Sequence, residues 1–258
     1  MSHRIVFVGA GNLATQLSLE LKRKGHTIEQ VYSRTASSAT LLSQKLKTHY
    51  TTIPWKIKPN ADIYFIALQD SAYDDVLPHA AFGNSLVVHC SGSMPMASLE
   101  KYAKNTGVFY PLQTFSKQIP VHFNQIPVFV EANSEENEKI LLEIAGNISG
   151  NVSVMHSERR LFLHISAVFA CNFVNHFYAI ASDILKEKNI PFNVLLPLIE
   201  ETAGKIKKTD PALVQTGPAV RYDQQIISAH LNALQEFPHF RELYENISES
   251  IFRYYKAK

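Results

Sequence analysis

The sequence predicts an α/β protein: a doubly wound parallel sheet over residues 1–155, followed by an all-α helical domain over residues 156–258. Three observations carry this expectation. Short apolar runs alternate with amphipathic segments of helical period as far as residue 155. Beyond that point strand signals all but vanish. Between the first strand and the first helix stand Gly9, Gly11 and Ala14, spaced G-x-G-x-x-A. Near-continuous apolar strands alternating with helices imply a parallel sheet covered on both faces.

Each element follows from local pattern. The run RIVFV suits a buried strand ending at Gly9. Residues 13–24 place Leu13, Leu17 and Leu21 on one helical face, and Gly25 suits a left-handed C-cap. Residues 28–33 read as a second strand, 37–47 as a second helix and 52–53 as a short third strand. ADIYFIAL gives a buried strand over 63–68, a short helix follows over 72–81, and SLVVHC gives a strand over 85–90. Further strands are expected at 108–110 and 128–131, then a helix over 134–146 and a last strand at 152–155. The second domain opens with one long, largely apolar helix over 161–187. Helices over 192–207, 222–235 and 240–255 complete it, punctuated by Pro191, Pro211, Pro218 and Pro238.

The chain has 258 residues, 46% of them hydrophobic, which is enough to bury a sizeable core. A formal net charge of +2, from 25 basic and 23 acidic residues, gives no electrostatic case for nucleic acid or an anionic membrane. Cys90 and Cys171 form no C-x-x-C pair, so neither a zinc site nor a disulfide framework is expected; both read as small buried hydrophobes. The chain starts directly on a strand, without the pattern of a signal peptide. No uninterrupted apolar run approaches the roughly 18 residues of a membrane span. The expectation is a cytoplasmic protein acting on a small-molecule substrate.

The glycine turn sits where a dinucleotide site needs it, after a strand and before a helix. Gly9 permits the sharp turn, Gly11 lets a pyrophosphate approach the backbone, and Ala14 allows close packing of helix on strand. The first amides of that helix, at Asn12, Leu13 and Ala14, face the phosphates with a partial positive charge. This is the Rossmann arrangement. An NAD site places a carboxylate at the end of the second strand, to bond the ribose 2′-hydroxyl. Here the positions are Ser33, Arg34 and Thr35. A guanidinium between two hydroxyls suits a 2′-phosphate, so the expected cofactor is NADP.

In open α/β sheets, ligands bind beyond the carboxyl ends of the strands. That rule selects Leu68, Gln69, Asp70 and Ser71 after one strand, and Ser91, Gly92 and Ser93 after another. Tyr110, Gln113 and Thr114 follow a third. Leu68, Gln69, Asp70, Ser91 and Gly92 are read as cofactor contacts, with Asp70 and Ser71 equally suited to capping a helix. Ser91 is also a candidate catalytic group, and Tyr110 and Gln113 are candidate substrate contacts. His89 lies within its strand and reads as a buried histidine.

Several stretches together resemble a known family. GAGNLA and the SRT after the second strand resemble pyrroline-5-carboxylate reductases and the wider β-hydroxyacid dehydrogenase-like group. Deazaflavin-dependent NADP reductases share this N-terminal design. HCSGS at 89–93, YPLQTFS at 110–116, LHISAVFACNF at 163–173, TGPAVRYD at 216–223 and HLNAL at 230–234 are similar to one bacterial family in particular. It joins a Rossmann-like domain to a C-terminal domain of unknown function, number 2520. The resemblance covers nearly the whole chain. It implies an NADP-linked oxidoreductase fold and a homodimer formed through the helical domain. Many relatives carry His where this chain has Tyr110.

The long helix supplies His164, Cys171, Asn172 and Asn175; at 3.6 residues per turn, His164, Cys171 and Asn175 share a face and Asn172 lies slightly around it. In β-hydroxyacid dehydrogenase-like enzymes the corresponding helix carries a catalytic lysine and an asparagine. No lysine occurs here between Glu158 and Leu185, which leaves His164 as the candidate acid and Asn172 as its catalytic companion. Asn175 and Arg221 are candidate substrate contacts, Arg221 through a bidentate grip on a carboxylate or else as an ion pair with Asp223. The expected function is hydride transfer between NADPH and a small carbonyl or imine held between the two domains. The alternative is a catalytically silent NADP-binding dimer acting as sensor or scaffold.

Overall fold

Strand β1 (Arg4–Val8) shows why the apolar runs are continuous rather than alternating. Ile5 and Phe7 enter one hydrophobic layer, Val6 and Val8 enter another, and all four are fully buried. Strand β4 (Ile63–Ile66) repeats the division. Phe65 stacks on Phe7 at 5.2 Å, while Tyr64 and Ile66 join the opposite layer. Successive side chains of a strand point to opposite faces, so a sheet covered on both sides needs apolar residues at every position.

The computed structural model describes residues 1–256. After β1 come α1 (Asn12–Arg23), β2 (Thr27–Tyr32), α2 (Ala36–Leu46) and β3 (His49–Thr51). Beyond β4 come α3 (Tyr73–Val76), β5 (Leu86–His89), β6 (Asn105–Pro111), β7 (Val128–Ala132), α4 (Glu135–Ile148) and β8 (Val152–Val154). The strands lie in the order β3-β2-β1-β4-β5-β6-β7-β8. The first six thus have the doubly wound arrangement, which reverses direction between β1 and β4.

Four details depart from the sequence reading. First, β7 runs antiparallel to β6, so the sheet is mixed. The connection over residues 112–127 contains only a short turn at Phe123–Gln125, and no crossover helix returns the chain to the far end of the sheet. Second, β3 is His49–Thr51 rather than 52–53, because its partners on β2 are Gln30, Val31 and Tyr32. Third, the helix over 72–81 shrinks to α3, flanked by tight turns at Asp70–Ala72 and Leu77–His79, where Pro78 lacks the amide that a longer helix would use. Fourth, Cys90 is buried as expected but Cys171 is exposed.

The chain forms two compact units, Met1–Cys171 and the residues from Asn172 onward. Helix α5 (Ser157–Ala167) belongs to the first unit. It continues through a π turn (Val168–Phe173) into α6 (Val174–Glu187). A π turn closes i to i+5 rather than i+4, so the 3.6-residue arithmetic that aligned His164 with Cys171 and Asn175 does not hold across it. By length and composition alone the run Ser157–Glu187, which holds an 18-residue stretch of mean hydropathy 1.2, is apolar enough to cross a membrane. It also carries His164, Asn172, Asn175, His176 and Asp183, groups that hydrocarbon would leave without partners. The second unit contains α7 (Leu196–Lys205), α8 (Pro218–Arg221), α9 (Gln224–Ala233) and α10 (Pro238–Lys256).

Candidate active site

The glycine turn is built by two close approaches. Gly9 has φ +134°, and a Cβ there would lie 2.2 Å from the Ala67 carbonyl oxygen, so only glycine lets β1 turn against the end of β4. Gly11 differs: a Cβ would meet nothing within 4 Å, so its backbone borders open space. The amides of Asn12, Leu13 and Ala14 precede the first intrahelical bond, from Thr15 N–H to the Gly11 carbonyl at 3.0 Å. No side chain caps α1, and no carboxylate stands in its first turn. Such an end takes an anion readily.

The end of β2 completes that half of the site. Ser33 and Thr35 stand within 3.5 Å of each other through their hydroxyls. Arg34 is exposed and donates to the Gln69 side-chain oxygen at 3.1 Å; it has no carboxylate partner among the described residues. The open backbone at Gly11, the uncapped helix and a guanidinium free of any acid together fit a dinucleotide carrying an extra phosphate.

Beyond the carboxyl ends of β4, β5 and β6 lies a pocket of about 310 Å³. Leu13, Leu68, Asp70, Ser91, Gly92, Ser93, Tyr110, Gln113 and His164 all line it, so nine residues singled out in the sequence meet in one place. Every lining residue belongs to the first unit. Tyr110 Oη lies 3.0 Å from His164 Nδ1. Burial pushes the Tyr110 hydroxyl above its ordinary range, against a smaller opposing effect of Arg160, so it keeps its proton at neutral pH. Gly92 explains how His164 arrives: a Cβ at that position would lie 2.5 Å from His164 Nδ1.

Other candidates have structural work. Ser91 Oγ accepts from the amides of Ser93 and Met94, at 3.3 and 3.1 Å, and donates to Asp70 Oδ2 at 3.3 Å. It shapes the HCSGS turn, and Asp70 braces that turn instead of capping a helix. His89 is fully buried and its Nδ1 accepts from the Ser91 amide at 3.2 Å. Burial first, then Arg160, lowers its pKa to about 4, which keeps it neutral. The Asn12 side chain donates to the Phe115 carbonyl at 2.9 Å. The Gln113 side chain accepts from the Thr114 amide at 2.8 Å. Asn172, Asn175 and Arg221 are exposed and belong to the second unit. Arg221 forms no ion pair with Asp223, whose carboxylate instead caps α9 by accepting from the Ile226 amide at 3.2 Å.

Sequence reasoning missed the clamp that positions His164. Arg160 is fully buried, one helical turn before His164 on α5. It donates to Glu131 Oε2 at 2.5 Å and to the Met94 carbonyl at 2.6 Å. Ser157 Oγ donates to the same Glu131 oxygen at 2.7 Å and accepts from the Met96 amide at 3.0 Å. Helix α5 is thereby fixed to β7 and to the loop after β5. The available signal was a glutamate in the apolar strand VFVEA, since a carboxylate there needs a buried cation. It was also blind to Lys117, whose Nζ reaches Ser38 at the start of α2.

Residues 4–92 match the family model described as NADP oxidoreductase, coenzyme F420-dependent. Residues 126–251 match the domain of unknown function 2520. A Bacteroides fragilis protein described as a "putative NADP oxidoreductase" is 47% identical, with 98% of each chain covered and a TM-score of 0.95. A pyrroline-5-carboxylate reductase from Streptococcus pyogenes shares the fold at 12% identity, covering 98% of this chain and 99% of that one with a TM-score of 0.61. So does an imine reductase from Myxococcus stipitatus solved with NADP+, at 15% identity, 98% and 93% coverage and a TM-score of 0.63. No curated protein matches the chain.

Proposed function

We infer the function from one premise: this chain belongs to the NADP oxidoreductase family whose members join a Rossmann sheet to the helical domain of unknown function 2520. NADP is the cofactor of that family. The reading is hydride transfer between NADPH and a small carbonyl or imine compound. One observation carries it: a tyrosine–histidine pair 3.0 Å apart stands in the same pocket as Leu13, at the start of α1.

The backbone of Gly11, Asn12, Leu13 and Ala14 would hold the diphosphate, and Ser33, Arg34 and Thr35 the 2′-phosphate. When bound, NADPH supplies the hydride. The chain's own residues supply the proton. Tyr110 Oη–H donates to the substrate oxygen or nitrogen, and His164 Nδ1–H replaces the proton that Tyr110 gives up. Asp70 and Ser91 hold the adjoining turn in place. The net change adds a hydride to carbon and a proton to the heteroatom, and His164 takes a new proton from solvent.

The same reading takes the working form as a homodimer. Phe162 and Ile165 are 64% and 41% exposed and lie about one turn apart on α5. A second copy of the chain is the cover proposed for these side chains.

The test is NADPH oxidation with a panel of small aldehydes, ketones, keto acids and cyclic imines. Turnover of at least one class is expected. His164→Ala and Tyr110→Phe should each lower kcat about 10²-fold while NADPH still binds. Tight NADPH binding with no turnover of any compound would favour the silent sensor instead.

A further inference from the structure

The connection between β6 and β7 is held down as a strap over the start of α1. Asn12 fixes the Phe115 carbonyl, and the buried Gln16 carboxamide donates to the carbonyls of Ser116 and Ile119 at 2.5 and 3.1 Å. These bonds set the place of Lys117, whose Nζ lies 3.5 Å from Ser38 Oγ in the first turn of α2. Lys117 is half-buried and forms no ion pair among the described residues. An ammonium partly withdrawn from water normally finds a counter-charge.

Among the described residues no carboxylate lies within ion-pair distance of Lys117. Helix α2 has no acidic residue in its first turn, and no side chain caps it. Arg34, just before its N-cap Thr35, is bonded only to the Gln69 amide. Two cations from separate parts of the chain therefore flank one uncapped helix start of 11 residues, with no anion of the protein's own.

We propose that Lys117 is a specificity-determining residue: delivered by the strap, it binds the 2′-phosphate of NADP together with Arg34. This rests on the glycine turn being the dinucleotide site. It adds a second cation that the strand–helix motif does not contain. It also makes the strap part of the cofactor site, so that cofactor choice and strap position are linked.

NADPH and NADH, titrated by nucleotide fluorescence against the full-length chain, are the probes. Lys117→Gln should weaken NADPH about tenfold and NADH less than about twofold. Lys117→Arg should keep most of the preference, since it preserves the charge. Equal weakening of both nucleotides would make Lys117 a mere support of the strap and overturn the proposal, as would unchanged NADPH binding. If the native chain bound both nucleotides equally, the NADP reading itself would fall. If Arg34→Gln lost the preference and Lys117→Gln kept it, only the role of Lys117 would fall.

Discussion

The two units of this chain hide very different shares of themselves. In the first, every residue of β4 and β5 is buried, and the sheet separates two apolar layers. In the second, only Ala219, Ile227 and Ser248 are buried among the described residues, and α6 and α7 bury none. Leu198 and Leu213 are 64% and 78% exposed. A fully buried aliphatic side chain contributes about 1.5–3 kcal/mol, and isolated helices of this length are marginal in water. The sheet unit therefore has by far the larger core, whereas the helical unit buries little of itself. The pocket that holds the Tyr110–His164 pair lies in the unit with the buried core.

The largest expected effect lies in the sheet unit. Glu131→Ala would leave the Arg160 charge buried without its carboxylate, at a cost of about 3–5 kcal/mol. Urea unfolding of the full chain should show it; a shift below about 1 kcal/mol would mean the clamp does not hold α5. Burial opposes the Glu131 charge, but hydrogen bonds from Ser157 and Arg160 prevail and hold its carboxyl below the ordinary value. A lowered folded pKa stabilises fully above the unfolded carboxylate value of about 4.3 and is lost as pH falls through the folded one. Native stability should therefore drop on acidification below about pH 4.3, and the Glu131→Ala chain should lack that part of the drop.

A smaller effect tests the apolar side chains that α5, at the end of the first unit, leaves exposed. Phe162→Glu places a charge among them and should weaken self-association at least about tenfold, near 1.4 kcal/mol. Light scattering should find the native chain at twice the monomer mass and the variant as a monomer. For the native chain alone, the urea midpoint should rise with protein concentration. A native monomer at every concentration would contradict the dimer.

How much of this the sequence revealed follows the same division. Residues 4–8 and 63–66 were legible as strands because burial on both faces leaves a continuous apolar run. The glycine turn was legible because its geometry is local. The antiparallel turn of β7 was not, since it depends on what residues 112–127 fail to form. The Arg160–Glu131 clamp was hidden because its halves lie 29 positions apart and meet only through tertiary packing. His164 was found as a polar residue on an apolar helix, and Tyr110 by its strand end; their 3.0 Å bond was not. The π turn that upsets the 3.6-residue register leaves no signal in VFACNF.

The two glycines of the site sharpen the comparison furthest, because they predict different outcomes from the same small change. A Cβ at Gly9 strikes backbone, the Ala67 carbonyl, at a positive φ, so the strand end itself would have to move. A Cβ at Gly92 strikes the His164 side chain first, at 2.5 Å from Nδ1 and 2.9 Å from Cβ. The ring can turn away, which separates it from Tyr110, but the His164 Cβ is fixed by α5, so the turn or the helix must also give by a few tenths of an ångström. Gly92 is buried, so Gly92→Ala should cost about 1–3 kcal/mol of unfolding free energy, as overpacking does, and less than Gly9→Ala, which strikes backbone at a positive φ. The kcat of Gly92→Ala should fall about tenfold or more, toward that of His164→Ala. Combining Gly92→Ala with His164→Ala should add little further loss, because the two act on one contact. A fully active Gly92→Ala chain would mean that proton delivery does not pass through the Tyr110–His164 bond.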